Sequence, residues 1–475
     1  MSLFATALVL LLGWGVLAMG GWPAWAAAPL LVFGVTTGVL GFLERDHHLA
    51  GSSRPTLHHR ALIAALGLFV AAIGVQLIPL PERLVAQLNP ARNELAFEKL
   101  LALADRRDPL LVPDYVAGEP RSLSIAPSRT KLGFAGAIGF AVFLLGAARG
   151  LSRVGTRAIT VAIVILGVLV SFLGIYQYAN HSVAIYGWYV PLWRTPDTAP
   201  FHNKNHQAGW LAMALSVALG ASAGEVARGM RTVAPRWRER LIWLSSKQAN
   251  VAALMMFAAA IIAVGILITQ SRSGATAMAV AFLLVVLWSL RRQPTRMRGV
   301  TVTVTLVAVM LMVISYAGEG VVRRIANTSW QRMDGRAAIW DDTLHIANTF
   351  WLTGSGFNTY GVAMLRYQTV KDGFRYIEAH NDYLQLMAEG GLLVGIPAII
   401  LAVTLIVTIY RRFREGANDT RTYWMRVGAV AGICAMAVQS VTEFTLQMPG
   451  AMAMFATLLA IAIHQPRPRV SRESA

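Results

Sequence analysis

Long apolar runs recur along this chain, at about 3–20, 24–43, 61–80, 132–148, 158–178, 207–223, 249–269, 275–290, 299–316, 391–410, 427–442 and 449–464. A hydrocarbon core about 30 Å thick is crossed by about 20 such residues as a helix, which satisfies every backbone polar group internally. The pattern predicts an all-α, polytopic integral membrane protein with about 12 transmembrane helices. With 56% hydrophobic and only 14% charged residues among 475, the composition excludes an ordinary soluble domain. No convincing small-residue cleavage site separates the first run from the second, so 3–20 reads as a retained helix. The single cysteine, Cys434, lies in an apolar run, which excludes a disulfide framework and a thiolate metal site within one chain.

Orientation follows from arginine and lysine, which concentrate on the cytoplasmic side of membrane proteins. The connections 44–60, 149–157, 224–248, 291–298 and 411–426, with the tail after His464, carry 24 Arg and Lys against 7 Asp and Glu. The rest of the chain carries 18 against 17. Nearly all of the net charge of +18 therefore marks one face, and the basic pI needs no nucleic acid to explain it. Both termini are expected on that face. His47, His48, His58 and His59 share one of its connections with no carboxylate or cysteine at ligand spacing, and read as a solvated loop.

The expected division is N-terminal helices in 1–80, a first outer loop in 81–131, central helices in 132–316, a large outer loop in 317–389, C-terminal helices in 390–464 and a tail from 465 to 475. The first outer loop contains NPARNELAFEKLLALADRR, which reads as an amphipathic helix lying on the membrane surface. The second contains RAAIWDDTLHIANTF, a helix with Ile339, Trp340, Thr343, Leu344 and Ala347 on one face and Asp341-Asp342 on its surface.

Every motif with chemical promise falls on the outer face. FHNKNHQAGWLA crowds Asn203, Lys204, Asn205 and His206 into one turn before a span, which predicts a polar cavity. TQSRSG places Arg272 among hydroxyls and a glycine in a connection with almost no loop. A guanidinium there faces either the headgroups or a cavity suited to an anion. Arg336 opens the helix of the second loop, with Arg323-Arg324 upstream, and is either a solvated residue beside an Asp334 cap or a fork for phosphate oxygens. HNDYLQLMAEGGLLVG sets His380 beside Asn381, a good helix N-cap, and Tyr383 at a membrane mouth. A histidine ordinarily titrates near pH ~6.5 and can accept a proton. GSGF, Gly354–Phe357, is a weak signal alone, and no P-loop, dinucleotide fingerprint or HExxH is present.

FHNKNHQAGWLA, SRSG, GRAAIW, GSGFNTY and HNDYLQLMAEGGLLVG, in this order across about 200–400, resemble the O-antigen ligase and O-antigen polymerase family of bacterial envelope glycosyltransferases. The resemblance implies a C-type glycosyltransferase-like fold in the inner membrane, with the active site on the periplasmic face. It implies transfer of a glycan from an undecaprenyl diphosphate carrier to a glycan or lipid-linked acceptor, with inversion and without metal or other cofactor. Polysaccharide assembly or export proteins are implied as partners. The family's essential arginines and histidine fall on Arg272, Arg336 and His380, with Asn203, Lys204, Asn205, Asn381 and Tyr383 as further substrate-binding candidates. Ligase and polymerase share this chemistry, and the ending PRSLSIAPSRTK of the first outer loop leans toward a polymerase. A transporter or flippase of lipid-linked glycans is the alternative from another class, though it should carry mid-membrane polar residues and often a repeat between halves.

Overall fold

The computed structural model describes residues 1–44, 57–93, 121–182, 184–190, 199–231, 233, 236–292, 331–370, 373, 375–415 and 419–465. The expected span at 299–316, Arg323-Arg324, His47, His48, the tail and most of the amphipathic segment of the first outer loop lie outside them, as do the side chains of His58 and His59. The chain is an all-α polytopic membrane protein, and among the described residues strand pairing is confined to isolated bridges, Leu80 with Arg121 and Ile185 with Tyr189.

The helices are α1 (Leu3–Leu17), α2 (Ala24–Leu43), α3 (Leu57–Val75), α4 (Glu82–Leu88), α5 (Pro127–Val154), α6 (Arg157–Ala179), α7 (Lys204–Met230), α8 (Trp237–Leu244), α9 (Lys247–Ile268), α10 (Arg272–Arg292), α11 (Gln331–Thr349), α12 (Tyr360–Tyr367), α13 (Asp382–Glu415), α14 (Thr420–Gln439) and α15 (Pro449–Ile463). Among the described residues, seven are long and apolar enough to cross a membrane: α2, α5, α6, α7, α9, α10 and α13. Shorter apolar helices are α1, α15 and Arg60–Val75 of α3. The 61–80 run ends as a helix at Val75 and turns, with Leu80 pairing to Arg121.

The bundle is organised around α7, whose apolar stretch is 78% buried. It packs against α6, α9, α10 and α14. Lipid tails are as apolar as leucine, so helices associate in a membrane by close packing of small residues. A Cβ at Gly220 of α7 would sit 2.7 Å from the Gly428 Cα of α14, so the two backbones touch there.

A second core lies where the outer loops meet. Ile125 and Ala126, from the end of the first loop, bury with Ile346, Phe350, Tyr360 and Ala388. Within it, α11 buries Ile339, Asp342, Thr343, Ile346 and Ala347, and Leu344 is 42% exposed. The expected face was thus displaced, and Asp342 is not a surface residue. Its carboxylate accepts hydrogen bonds from the Thr369 amide at 3.0 Å and hydroxyl at 2.8 Å, which turns that side of the helix inward.

The glycine turn and the EGG sequence explain one another. At Gly391 α13 breaks (φ 54, ψ −155), freeing backbone groups on both sides. Residues 351–356 take them up: the Leu392 and Leu393 amides donate to Trp351 and Leu352, and Ser355 and Gly356 donate to Ala388 and Glu389. Buried Glu389 accepts from the Asn358 and Tyr360 amides, both at 2.9 Å, and Gln76 bonds to Thr353, Phe357 and Glu389. GSGFNTY is therefore a clasp that seats the outer end of α13.

Candidate active site

His380 is fixed from both sides. Ahead of it the Ala379 amide donates to Gln385 Oε1 at 3.0 Å. Behind it Asn381 Oδ1 accepts from the amides of Tyr383 and Leu384, both at 3.1 Å, as the α13 N-cap. The Asp382 amide donates to Ser440 O at 2.9 Å and the Tyr383 hydroxyl to Ala437 O at 2.7 Å, so this end of α13 is pinned to the end of α14. Between these anchors His380 takes a left-handed backbone (φ 51), a region in which histidine is enriched among non-glycine residues.

Across from His380 stands Glu443, in the turn between α14 and α15, with a side chain 1% exposed. Its Oε1 accepts from Arg336 Nη2 at 2.7 Å, from Asn205 Nδ2 at 2.7 Å and from Ser273 Oγ at 3.4 Å. Its Oε2 lies 3.8 Å from His380 Nδ1, and both atoms are buried with no hydrogen bond among the described residues. One carboxylate thus gathers residues from four sequence motifs. Burial alone would raise the Glu443 carboxyl pKa; the neighbouring His380 and the charges of Arg336, His380 and His206 outweigh this and hold it below the ordinary carboxylate value.

The rest of the FHNKNH segment surrounds this centre. Asn203 caps α7 by accepting from the Asn205 amide at 2.8 Å, and the Asn205 carbonyl accepts from buried Gln439 Nε2 at 2.8 Å. Phe444 is a wedge between two imidazoles, edge-on to His206 at 4.6 Å and to His380 at 4.7 Å. Lys204 is the half-buried first residue of α7, and Arg272 is the exposed first residue of α10, next to Ser273. The structure therefore joins Asn205, Arg336 and His380 through Glu443, sets Arg272 one residue from that contact, and gives Asn203, Asn381 and Tyr383 bonds that hold helix ends.

Residues 257–399 match the family model described as O-antigen ligase. Over this stretch, less than a third of its length, the chain is similar to that family. No curated protein matches the chain. The matched stretch runs from within α9 to within α13 and so contains Arg272, Arg336 and His380, while Asn203–Asn205 and Glu443 flank it. Lying within a bundle of apolar helices, this match points to a membrane glycan-processing enzyme of O-antigen ligase or polymerase type.

Sequence reasoning missed Glu443. Its signal was a lone carboxylate in SVTEFTLQMPG, between two apolar runs, since an acid at such depth ordinarily has a partner or a task.

Proposed function

We propose that this protein transfers a glycan from undecaprenyl diphosphate to an acceptor sugar at the outer face of the cytoplasmic membrane, with inversion and without metal. The observation that carries the reading is the Glu443 carboxylate holding Asn205 and Arg336 beside His380. With Nδ1 buried toward Glu443, the opposite ring nitrogen, Nε2, is the one available to substrate. It takes the proton of the acceptor hydroxyl as that oxygen attacks the anomeric carbon. The bond from that carbon to the diphosphate oxygen breaks, and the lipid diphosphate leaves with its electron pair. Glu443 stabilises the imidazolium that forms, as a carboxylate does for a general-base histidine. Arg336 spends one nitrogen on Glu443 and its side chain is 34% exposed, which leaves guanidinium donors for a phosphate oxygen. Arg272 supplies the second cation. Fixed cations in a partly dry site stabilise the departing charge without reorganising at the moment of reaction.

The test is reconstitution of purified protein with lipid-linked donor and acceptor, with and without chelator. Expected are product formation that survives chelation, a loss of about 100-fold to 10,000-fold in His380→Ala with donor binding retained, and weakened donor binding in Arg272→Ala and Arg336→Ala. Movement of lipid-linked glycan without a new glycosidic bond would establish a transporter instead. Chelator sensitivity would overturn metal independence.

A further inference from the structure

At the opposite end of α7 and α14 from Glu443, helices α6, α7, α9 and α14 line a partly open cleft of about 90 Å³. From Asn205 to Glu225 is 20 residues of helix, so the cleft lies about 30 Å from the transfer site. Gly220, Ala221 and Gly224 of α7 line it, and their small side chains leave the space open. Val161, Met255 and Met425 complete apolar walls.

The polar residues are gathered at one end. Glu225 is held between Arg228 and Arg421, the latter at 3.0 Å. Arg157 also lines the cleft, is exposed, and has neither a hydrogen bond nor an ion pair among the described residues. Three guanidiniums thus stand against one carboxylate. They come from three of the strongly basic connections, 149–157, 224–248 and 411–426. An apolar slot between membrane helices, with surplus positive charge at its end, matches an anionic amphiphile. A basic pocket between helices at the basic face suits an acidic lipid headgroup.

We infer that this cleft binds an anionic phospholipid of the leaflet on the basic face, with an acyl chain between α6 and α7 and its phosphate on Arg157 beside the Glu225–Arg421 pair. The inference does not depend on the transfer chemistry, since none of these residues touches that site.

The experiment measures lipid binding to the purified full-length protein by native mass spectrometry and melting temperature, using phosphatidylglycerol, phosphatidylcholine and inorganic phosphate as separate probes. Phosphatidylglycerol should bind and stabilise more than phosphatidylcholine, and phosphate alone should do neither. Arg157→Gln should weaken phosphatidylglycerol about tenfold, the size of one lost charge-assisted contact. Val161→Trp, at a position already 39% exposed, should fill the slot and weaken it while leaving transfer in lipid-free detergent unchanged. Equal binding of both lipids, or phosphatidylglycerol binding unaltered in both variants, would overturn the site. Stabilisation by phosphate alone, lost in Arg157→Gln and kept in Val161→Trp, would make it a free-anion site and overturn the lipid.

Discussion

In the proposed reaction Glu443 combines two tasks that a neutral amide would separate. Glutamine could still accept a hydrogen bond from Arg336 and Asn205, but it would carry no charge to stabilise protonated His380. Glu443→Gln is therefore expected to fold and to bind lipid-linked donor, yet to turn over about 100-fold more slowly, the lower end of the range for losing a general base. The measurement is single-turnover transfer alongside a donor-binding titration. Unchanged turnover would remove Glu443 from the proton-transfer path and leave it a structural tether. Glu378, two residues before His380, supplies a pH dependence of its own. Burial pushes its carboxyl up, Gln385 opposes through a 2.6 Å hydrogen bond, Glu389 and Asp382 add repulsion, and the result is about 8 against an ordinary 4.5. Between those values the folded protein keeps a proton that the unfolded chain has released, so stability falls as pH rises through that window. Glu378→Gln should flatten this slope in melting experiments across the window. A slope as steep as that of the unsubstituted protein would show that other groups cause it.

At the scale of elements, the decisive feature is the broken start of α13. Gly391 has a positive φ, and a Cβ there would meet the Gly354 nitrogen at 2.5 Å and the Leu352 carbonyl carbon at 2.8 Å, both backbone atoms that cannot swing aside. Gly395, four residues on in the same motif, has nothing within 4 Å of the equivalent position. The two glycines are expected to answer alanine differently. Gly391→Ala should cost about 1–3 kcal/mol or more and shift the His380 turn, lowering melting temperature and transfer together. Gly395→Ala should be neutral or slightly stabilising, because alanine is the better helix former by about 1 kcal/mol. Thermal melts of both variants check this, and equal destabilisation would contradict the clasp. The motifs that flagged these elements thus mix two roles. In HNDYLQLMAEGGLLVG, His380 faces Glu443, while Asn381 caps, Tyr383 ties α13 to α14 and Gly391 lets the 351–356 turn dock.

Across the whole molecule, the charge asymmetry and the site geometry make one joint statement. Asn205, Ser273, Arg336, His380 and Glu443 all come from the weakly charged connections, and Arg157, Arg228 and Arg421 come from the basic ones. With Cys434 replaced by serine, cysteines introduced at Val190 and Ile377, 63% and 45% exposed, should be labelled by an impermeant reagent from outside the cell. A cysteine at the exposed Ser245 should react only after the membrane is opened. Labelling of Ile377 from the cytoplasmic side alone would reverse the orientation and with it the proposed reaction.

The membrane class, the positions of most helices and the placing of Arg272, Arg336 and His380 beside span boundaries were legible in the sequence because each rests on local information. Apolar length predicts a span, arginine density predicts a face, and a polar motif at a span boundary predicts a site. The Gly354–Gly391 clasp, the burial of Asp342 and the identity of Glu443 were not legible, because each depends on segments far apart in sequence becoming neighbours. Asn205 and Glu443 are 238 residues apart, and Arg336 and Glu443 are 107 apart. A lone glutamate between two apolar runs has no periodicity to announce it. Only the packing of α7, α11, α13 and α14 removes it from water and brings the Arg336 guanidinium, Asn205 and His380 against it, and that desolvation with compensation makes an ordinary carboxylate the meeting point of the candidate site.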